Sequence, residues 1–171
     1  MNAEIRTISL TRGQFAIVDD EDFQELNKYK WFAIKNRNGD FYAVRKKKTE
    51  KGQKTIRMHR IIMNAPKYLL VDHRDHNTLD NRKNNLRICT NSENSMNQKI
   101  RNGCSSKYKG VCWFKPYKNW MGYITVNGKT IFLGYFEDED KAARAYNVAS
   151  RKYHGEHGLQ NIIEGQIRND I

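Results

Sequence analysis

Val71-Asp72-His73-Arg74-Asp75-His76-Asn77 opens the stretch that decides how this chain folds; Asp80-Asn81-Arg82, Asn84-Asn85-Leu86-Arg87 and Glu93-Asn94 complete it. Leu69-Leu70-Val71 is a short apolar strand that runs into Asp72 and His73, and Leu86 to Cys89 is a second. Between them, residues 73–84 are nearly all Asp, Asn, Arg and His, the composition of a loop shaped by its own side-chain hydrogen bonds. Thr90-Asn91-Ser92-Glu93 matches a capping box, so a helix is expected to start after Thr90. Neighbours on a strand point to opposite faces. At the strand's end, however, twist and the following loop can bring the Asp72 carboxylate and the His73 imidazole beside one phosphate. Asn94, on the capped helix, can face them across the hairpin. Carboxylate and amide oxygens are hard ligands suited to Mg²⁺ or Mn²⁺, and a histidine near such an ion can act as general base toward water. These parts describe metal-assisted phosphodiester hydrolysis.

Upstream, Ile5 to Leu10 and Gln14 to Val18 read as strands around Arg12-Gly13. Asp19 or Asp20 can cap a helix over Glu21 to Tyr29, whose acidic start suits the positive end of the helix dipole. Trp31 to Lys35 and Phe41 to Arg45 flank Asn38-Gly39, a hairpin dipeptide, and Thr55 to Met58 leads into a helix that Pro66 ends. Downstream, residues 99–107 are polar and rich in small residues, and the domain boundary is expected there. Val111 to Phe114, Trp120 to Val126 and Thr130 to Phe136 are three strands, the last two turning at Asn127-Gly128. A helix follows from about Asp138 to Tyr153, with Ala142, Tyr146, Ala149 and Tyr153 at helical spacing and Gly155 placed to stop it.

The 171 residues hold 31 Lys and Arg against 19 Asp and Glu, a formal net charge of +12. Such an excess favours a polyanionic partner, since each neutralised phosphate releases condensed counterions. Charge alone would equally fit a ribosomal or membrane-surface protein. It is concentrated between Phe41 and Arg60, where Arg45, Lys46, Lys47, Lys48, Lys51, Lys54, Arg57 and Arg60 face one acid, Glu50. No stretch approaches the ~20 apolar residues of a membrane span, and Met1 to Leu10 lacks an apolar signal core, so neither membrane nor export is expected. Cys89, Cys104 and Cys112 form no Cys-x-x-Cys pair, which speaks against a disulfide framework or zinc ribbon and fits a reducing cytoplasm.

Residues 59–97 resemble the HNH nucleases, in the branch that includes phage and intron-encoded homing endonucleases. The resemblance runs through Met58-His59-Arg60, Val71 to Asn77, Asp80 to Arg82, Asn84 to Arg87 and Glu93-Asn94. It implies a ββα-metal hairpin in which His73 is the general base, Asp72 and Asn94 hold one divalent ion, and Asn85 braces the loop. His59 matches a family position whose part is structural or phosphate-binding. His76 stands where many relatives have glycine. Arg82 and Arg87 are left between binding phosphate and clamping carboxylates.

Residues 107–162 resemble the Apetala2/ethylene-response-factor (ERF) DNA-binding domain, through Tyr108-Lys109-Gly110-Val111, Leu133-Gly134-Tyr135-Phe136, Lys141 to Tyr146, Gly155 and Asn161-Ile162. That family lays its sheet in the major groove with the helix behind. Strand alternation turns Val111, Trp113, Gly122, Ile124, Val126, Ile131 and Leu133 toward the helix. Cys112, Phe114, Tyr123, Thr125, Thr130 and Phe132 then face outward, with Lys109, Lys115, Lys118 and Lys129 at the rims. Where the plant relatives carry arginines, this sheet has Cys112, Phe114 and Thr125, which weakens guanine readout in favour of phosphate and thymine-methyl contacts.

The expectation is an α+β protein. A nuclease domain spans residues 1–98, with a β-rich support over 1–57 and the HNH core over 58–98. A linker over 99–107, an Apetala2/ERF-like domain over 108–163 and a tail over 164–171 follow. Its expected activity is cutting double-stranded DNA as a monomer, one strand per engagement, with Arg45, Lys46, Lys47, Arg60, Arg82 and Arg87 also at the DNA. The rivals are a non-cleaving regulator that keeps a degenerate nuclease fold and an RNA-binding protein. The intact Asp72, His73 and Asn94 set disfavours the first, and the nuclease spacing the second.

Overall fold

In the computed structural model, which describes residues 5–100 and 103–164, alternating apolar residues build four small antiparallel sheets and four α-helices. All but the first residue of the 164–171 tail lies outside the described residues, as do 101 and 102 of the linker. By its contacts the chain divides into two units, one ending at Asn91 and one beginning at Ser92.

The first unit opens with β1 (Ile5–Ser9) and β2 (Phe15–Asp19), paired from Ile5↔Asp19 to Ser9↔Phe15. Their inward residues Ile8, Ala16 and Val18 pack with Leu26, Trp31, Ala43 and Met58. α1 (Asp20–Asn27) follows, with Asp19 at its N-cap. The Asp19 side chain does not cap the helix; its Oδ2 accepts the Lys83 backbone N–H at 2.8 Å. β3 (Phe32–Lys35), β4 (Phe41–Thr49) and β5 (Gly52–Arg57) form the second sheet. β4 runs past the expected Arg45 because its partner changes: Phe41–Val44 pair with β3, and Val44–Thr49 pair with β5. The outer part is therefore a two-stranded ribbon on which Lys46, Lys47, Lys48, Lys51 and Lys54 are exposed.

α2 (Met58–Ile62) is shorter than expected and stops before Pro66, where Asn64 takes a left-handed conformation (φ 43°). β6 (Leu70–His73) and β7 (Leu86–Cys89) pair with Asp72 opposite Arg87 and His73 opposite Leu86.

α3 (Asn91–Asn97) starts where the capping box placed it. The division between units nevertheless falls at its first residue, upstream of the 99–107 stretch. The reason is specific: the Lys109 ammonium donates to the Ser95, Met96 and Gln98 carbonyls at 3.1, 2.7 and 2.8 Å, and Leu159 N–H donates to Met96 O at 3.1 Å. The carbonyls at a helix C-terminus lack intrahelical donors, and a lysine is a natural partner for them.

The second unit holds β8 (Val111–Phe114), β9 (Asn119–Val126) and β10 (Lys129–Phe136) in the order β10-β9-β8, with α4 (Glu139–His154) packed on one face. Asp138 caps α4 by accepting from Lys141 N–H, and Gly155 ends it at φ 53°. Ala142, Tyr146 and Ala149 are buried as their spacing demands. Tyr153 is exposed instead; the neighbouring His154 takes the buried place, with Nε2 2.9 Å from Thr125 O. The sheet departs from strict alternation in two places. Trp113 is 39% exposed and meets Trp120 edge to face at 5.1 Å, at the border of the core rather than inside it. Leu133 occupies a bulge, so Phe132 pairs with Tyr123 but Gly134 pairs with Gly122, and the alternation shifts by one residue.

Asn161 ties the end of the unit to its start. Its Oδ1 accepts Lys109 N–H at 2.8 Å, its Nδ2 donates to Lys109 O at 3.0 Å, and Asn147 holds its backbone. Next to Lys109, Gly110 has φ 73°, and a Cβ there would lie 2.0 Å from the Tyr146 ring. Gly110→Ala is expected to combine overpacking with a left-handed conformation on a non-glycine residue, for a loss of about 3 kcal/mol. Urea denaturation of the two proteins measures it.

Candidate active site

His73 sits at the last position of β6 and is 4% exposed, the one fully buried residue of that strand. The ring is held by other rings: His59 of α2 meets it edge to face at 5.1 Å, and Tyr42 of β4 at 6.1 Å. Tyr42 and His59 are themselves 5.8 Å apart. Burial lowers the His73 pKa, opposed by the Asn81 side chain and by the carboxylates of Asp72, Asp75 and Asp80. The imidazole is therefore neutral at neutral pH, the form that can accept a proton. His59 is more deeply affected: burial, then the His73 ring and the nearby arginines, lower it to about 3.

Asp72 lies on the opposite side of the strand. Directly across the ladder, Arg87 donates to Asp72 Oδ2 from Nε at 3.0 Å and from Nη2 at 2.7 Å. Both groups are nearly buried, at 6% and 12% side-chain exposure for Arg87 and Asp72. Of the two roles open to Arg87, the structure shows the clamp. The same is true of Arg82, which grips Asp80 at 2.8 and 2.5 Å and lowers that carboxyl's pKa against its burial.

The loop between the strands is organised by Asn85. Its Oδ1 accepts Asp75 N–H at 3.1 Å, its Nδ2 donates to Asp80 O at 2.9 Å, and its own carbonyl accepts Arg74 N–H. Asn77 accepts Leu79 N–H, and Asp75 accepts Asn77 N–H, both side-chain turns. Residues 79–81 then lie beside β2: Ile17 N–H donates to Leu79 O and Asn81 N–H donates to Ile17 O, each at 2.8 Å. Thr78 Oγ1 donates to Phe41 O at 2.6 Å. The N-terminal sheets thus shape the loop, a role that their own residues do not signal.

A hard divalent cation needs oxygen donors, and Asp72 supplies a carboxylate at the strand end. Mg²⁺ commonly takes only one or two protein carboxylates, so this chemistry fits, with the Arg87 guanidinium as a competitor for the same oxygens. Asn94 is half-buried on α3, in the second unit. Asp19, Glu21 and Asp22 also come together in the first unit, but Lys83 occupies that cluster through its backbone and its ammonium, 2.7 Å from Glu21 and 3.4 Å from Asp22.

The cations expected at DNA divide into two groups. Arg60 donates to Leu69, Ala65 and Pro66 carbonyls at 2.8, 3.2 and 2.7 Å, closing the turn after α2 rather than facing outward. Lys109 is spent on α3, and its burial there lowers its pKa to about 8. Arg45 stacks over Tyr29 at 3.9 Å. Lys46, Lys47, Lys115, Lys118 and Lys129 are exposed, Lys46 with a bond to Thr55. On the sheet, Thr125, Thr130 and Phe132 are exposed and Cys112, Phe114 and Tyr123 half-exposed. Two rings of this face escaped the sequence reading, Tyr117 and Tyr135: the first stands on a 3₁₀ turn, the second is turned outward by the Leu133 bulge.

A family model described as HNH endonuclease matches residues 64–96, the β6–β7 hairpin and nearly all of α3. Along 90% of its length this chain is 31% identical to an uncharacterized HNH endonuclease of Acanthamoeba polyphaga mimivirus, covering 78% of that protein. The chain belongs to the HNH endonuclease family. Protein 3.8 of Escherichia phage T7 is 39% identical over 37% of this chain and 53% of its own length. Over 48% of the chain there is 34% identity to the AP2/ERF and B3 domain-containing transcription factor RAV1 of Arabidopsis thaliana, of which 24% is covered. Among the described residues no helix is long and apolar enough to cross a membrane.

For this HNH endonuclease the depressed histidines carry a cost in acid. His59 stays neutral to about pH 3 in the native state and protonates near 6.5 when unfolded. The unfolded chain therefore binds the extra proton, and stability falls as pH drops below 6.5, by up to about 1.4 kcal/mol per pH unit. His59→Phe is expected to flatten that dependence, read from urea midpoints at neutral and mildly acidic pH.

Proposed function

We propose that this chain is a metal-dependent DNA endonuclease of the homing type, with His73 as the general base that activates water against a phosphodiester bond. The observation that carries the reading is the setting of His73: a neutral, ring-braced imidazole one residue from the Asp72 carboxylate, on a loop that Asn85 holds in shape. His59 and Tyr42 orient the ring, and burial keeps it unprotonated. Asp72 would hold the divalent ion, Mg²⁺ or Mn²⁺, with Asn94 as second ligand on the strength of family spacing. The ion would supply charge stabilisation at the phosphate and the leaving oxygen. Arg87, paired with Asp72, would hold that carboxylate in place before the ion arrives.

DNA as the partner is supported by the family and by the likeness of about half of the chain to a plant transcription factor whose name contains AP2/ERF. The second unit is read as an Apetala2/ERF-like DNA-binding domain, with its open sheet face and the rim lysines Lys115, Lys118 and Lys129 toward DNA. The β4–β5 ribbon would follow the backbone through Lys46 and Lys47. A two-stranded ribbon matches the ~12 Å width of the major groove.

One such site per chain implies one cut strand per engagement. On supercoiled plasmid carrying target DNA, the protein with Mg²⁺ is expected to make open circles. EDTA, His73→Ala and Asp72→Ala should each abolish the product while binding persists. Cutting by His73→Ala would remove it from the base role, and a plasmid bound but never cut under several metals would favour the regulator reading. For the ribbon, Lys46→Ala with Lys47→Ala is expected to lower the slope of log affinity against log salt by about 0.9 per lost phosphate contact. Fluorescence anisotropy at a series of salt concentrations measures that slope.

A further inference from the structure

We propose that the open face of the β8–β10 sheet is a stacking platform for the unpaired bases of single-stranded DNA. The inference deepens the DNA reading of the second unit and rests on it. Phe114, Tyr117, Phe132 and Tyr135 form one continuous set of rings on that face. Phe114 lies 5.3 Å from Tyr117 and 5.2 Å from Tyr135; Tyr135 lies 4.9 Å from both Tyr117 and Phe132. The set stands away from α4: Tyr117 is 62% exposed, Phe132 54% and Tyr135 38%.

Two local devices assemble it. The bulge at Leu133 lets Gly134 pair with Gly122 and Tyr135 with Met121, so Tyr135 emerges on the same face as Phe132 instead of the helix face. The 3₁₀ turn Lys115–Tyr117 and the left-handed Lys118 (φ 48°) place Tyr117 over the same group. Contiguous exposed apolar surface marks interaction sites.

The chemistry of the face selects the strand state. In a duplex the bases offer only their edges, read by donors and acceptors such as the paired N–H groups of arginine and, at thymine alone, by apolar contact with the methyl group. The outward residues Cys112, Phe114, Thr125, Thr130, Phe132 and Tyr135 include no arginine and no acid. Rings stack on the flat faces of bases, and those faces are open only where a strand is unpaired. Exposed Lys115 and Lys118 flank Tyr117 in the chain and exposed Lys129 begins β10 three residues before Phe132, so positive charge complementary to a phosphate backbone accompanies the rings.

The test uses the full chain in EDTA, titrated into a short labelled oligothymidylate and, separately, into a labelled hairpin duplex. Tyr117→Ala with Phe132→Ala and Tyr135→Ala is expected to lose about tenfold or more in single-strand affinity, and clearly less than that on the duplex. Tyr135→Phe should bind like the parent, since stacking needs the ring and not the hydroxyl. Phe132→Thr, which removes one ring and keeps a residue that strands favour, should lose in the same direction and by less. Unchanged oligothymidylate binding by the triple variant overturns the platform, as does an equal loss on the duplex, which would make the face a groove reader. Plasmid cutting on the same preparations separates the two readings. Normal cutting with no loss of single-strand binding overturns the platform alone, whereas a parent that never cuts yet shows the loss overturns the nuclease reading alone.

Discussion

Two backbone hydrogen bonds, from Ile17 to Leu79 and from Asn81 to Ile17, fasten the polar loop between β6 and β7 to the edge of β2. A loop with this many aspartates and asparagines has many ways to satisfy itself, and its ends alone would leave it without one shape. The parallel bridge to β2 chooses among them. Asn85 then closes the loop from the other side, through Asp75 N–H and Asp80 O. His73, at the mouth of that loop, inherits its orientation from this bracing and from the rings of His59 and Tyr42.

The positive charge of the chain serves two purposes that composition does not separate. Arg60, Arg82, Arg87 and Lys109 are consumed internally, on carbonyls or carboxylates. Removing one partner of a nearly buried pair such as Arg87–Asp72 leaves the other charge uncompensated, which costs far more than an exposed ion pair contributes. These cations are therefore part of the architecture. The lysines of the β4–β5 ribbon and of the second unit's rims keep their charge in solvent, where it can meet phosphate.

Lys109 shows how one side chain can redraw an organisation that composition suggests. Polar, small residues between 99 and 107 read as a spacer, yet three carbonyls at the end of α3 accept from the Lys109 ammonium. α3 thereby packs with the β8–β10 unit, and Asn94 goes with it. The backbone of Lys109 is in turn gripped by Asn161, so both ends of the second unit converge on one residue.

Most of the elements were legible in the sequence, because period-2 and helical patterns report which faces are apolar, and capping and turn residues mark the ends. Asp72, His73 and Asn85 were legible as a group through the resemblance of the stretch to the HNH nucleases. What local pattern could not report was everything set by partners distant in the chain. The reach of β4 depended on a second strand being available to pair with it. The outward turn of Tyr135 depended on a bulge, and a one-residue slip reverses every side chain beyond it. The fate of each arginine depended on which carboxylate the fold brought opposite. Sequence by itself determined the residue types, their periodicity and the nuclease spacing, since these are properties of neighbours along the chain. Only the tertiary structure decided which cations were neutralised, which rings met and what held the loop, because hydrogen bonds and ion pairs between residues far apart exist only once folding has brought them within reach.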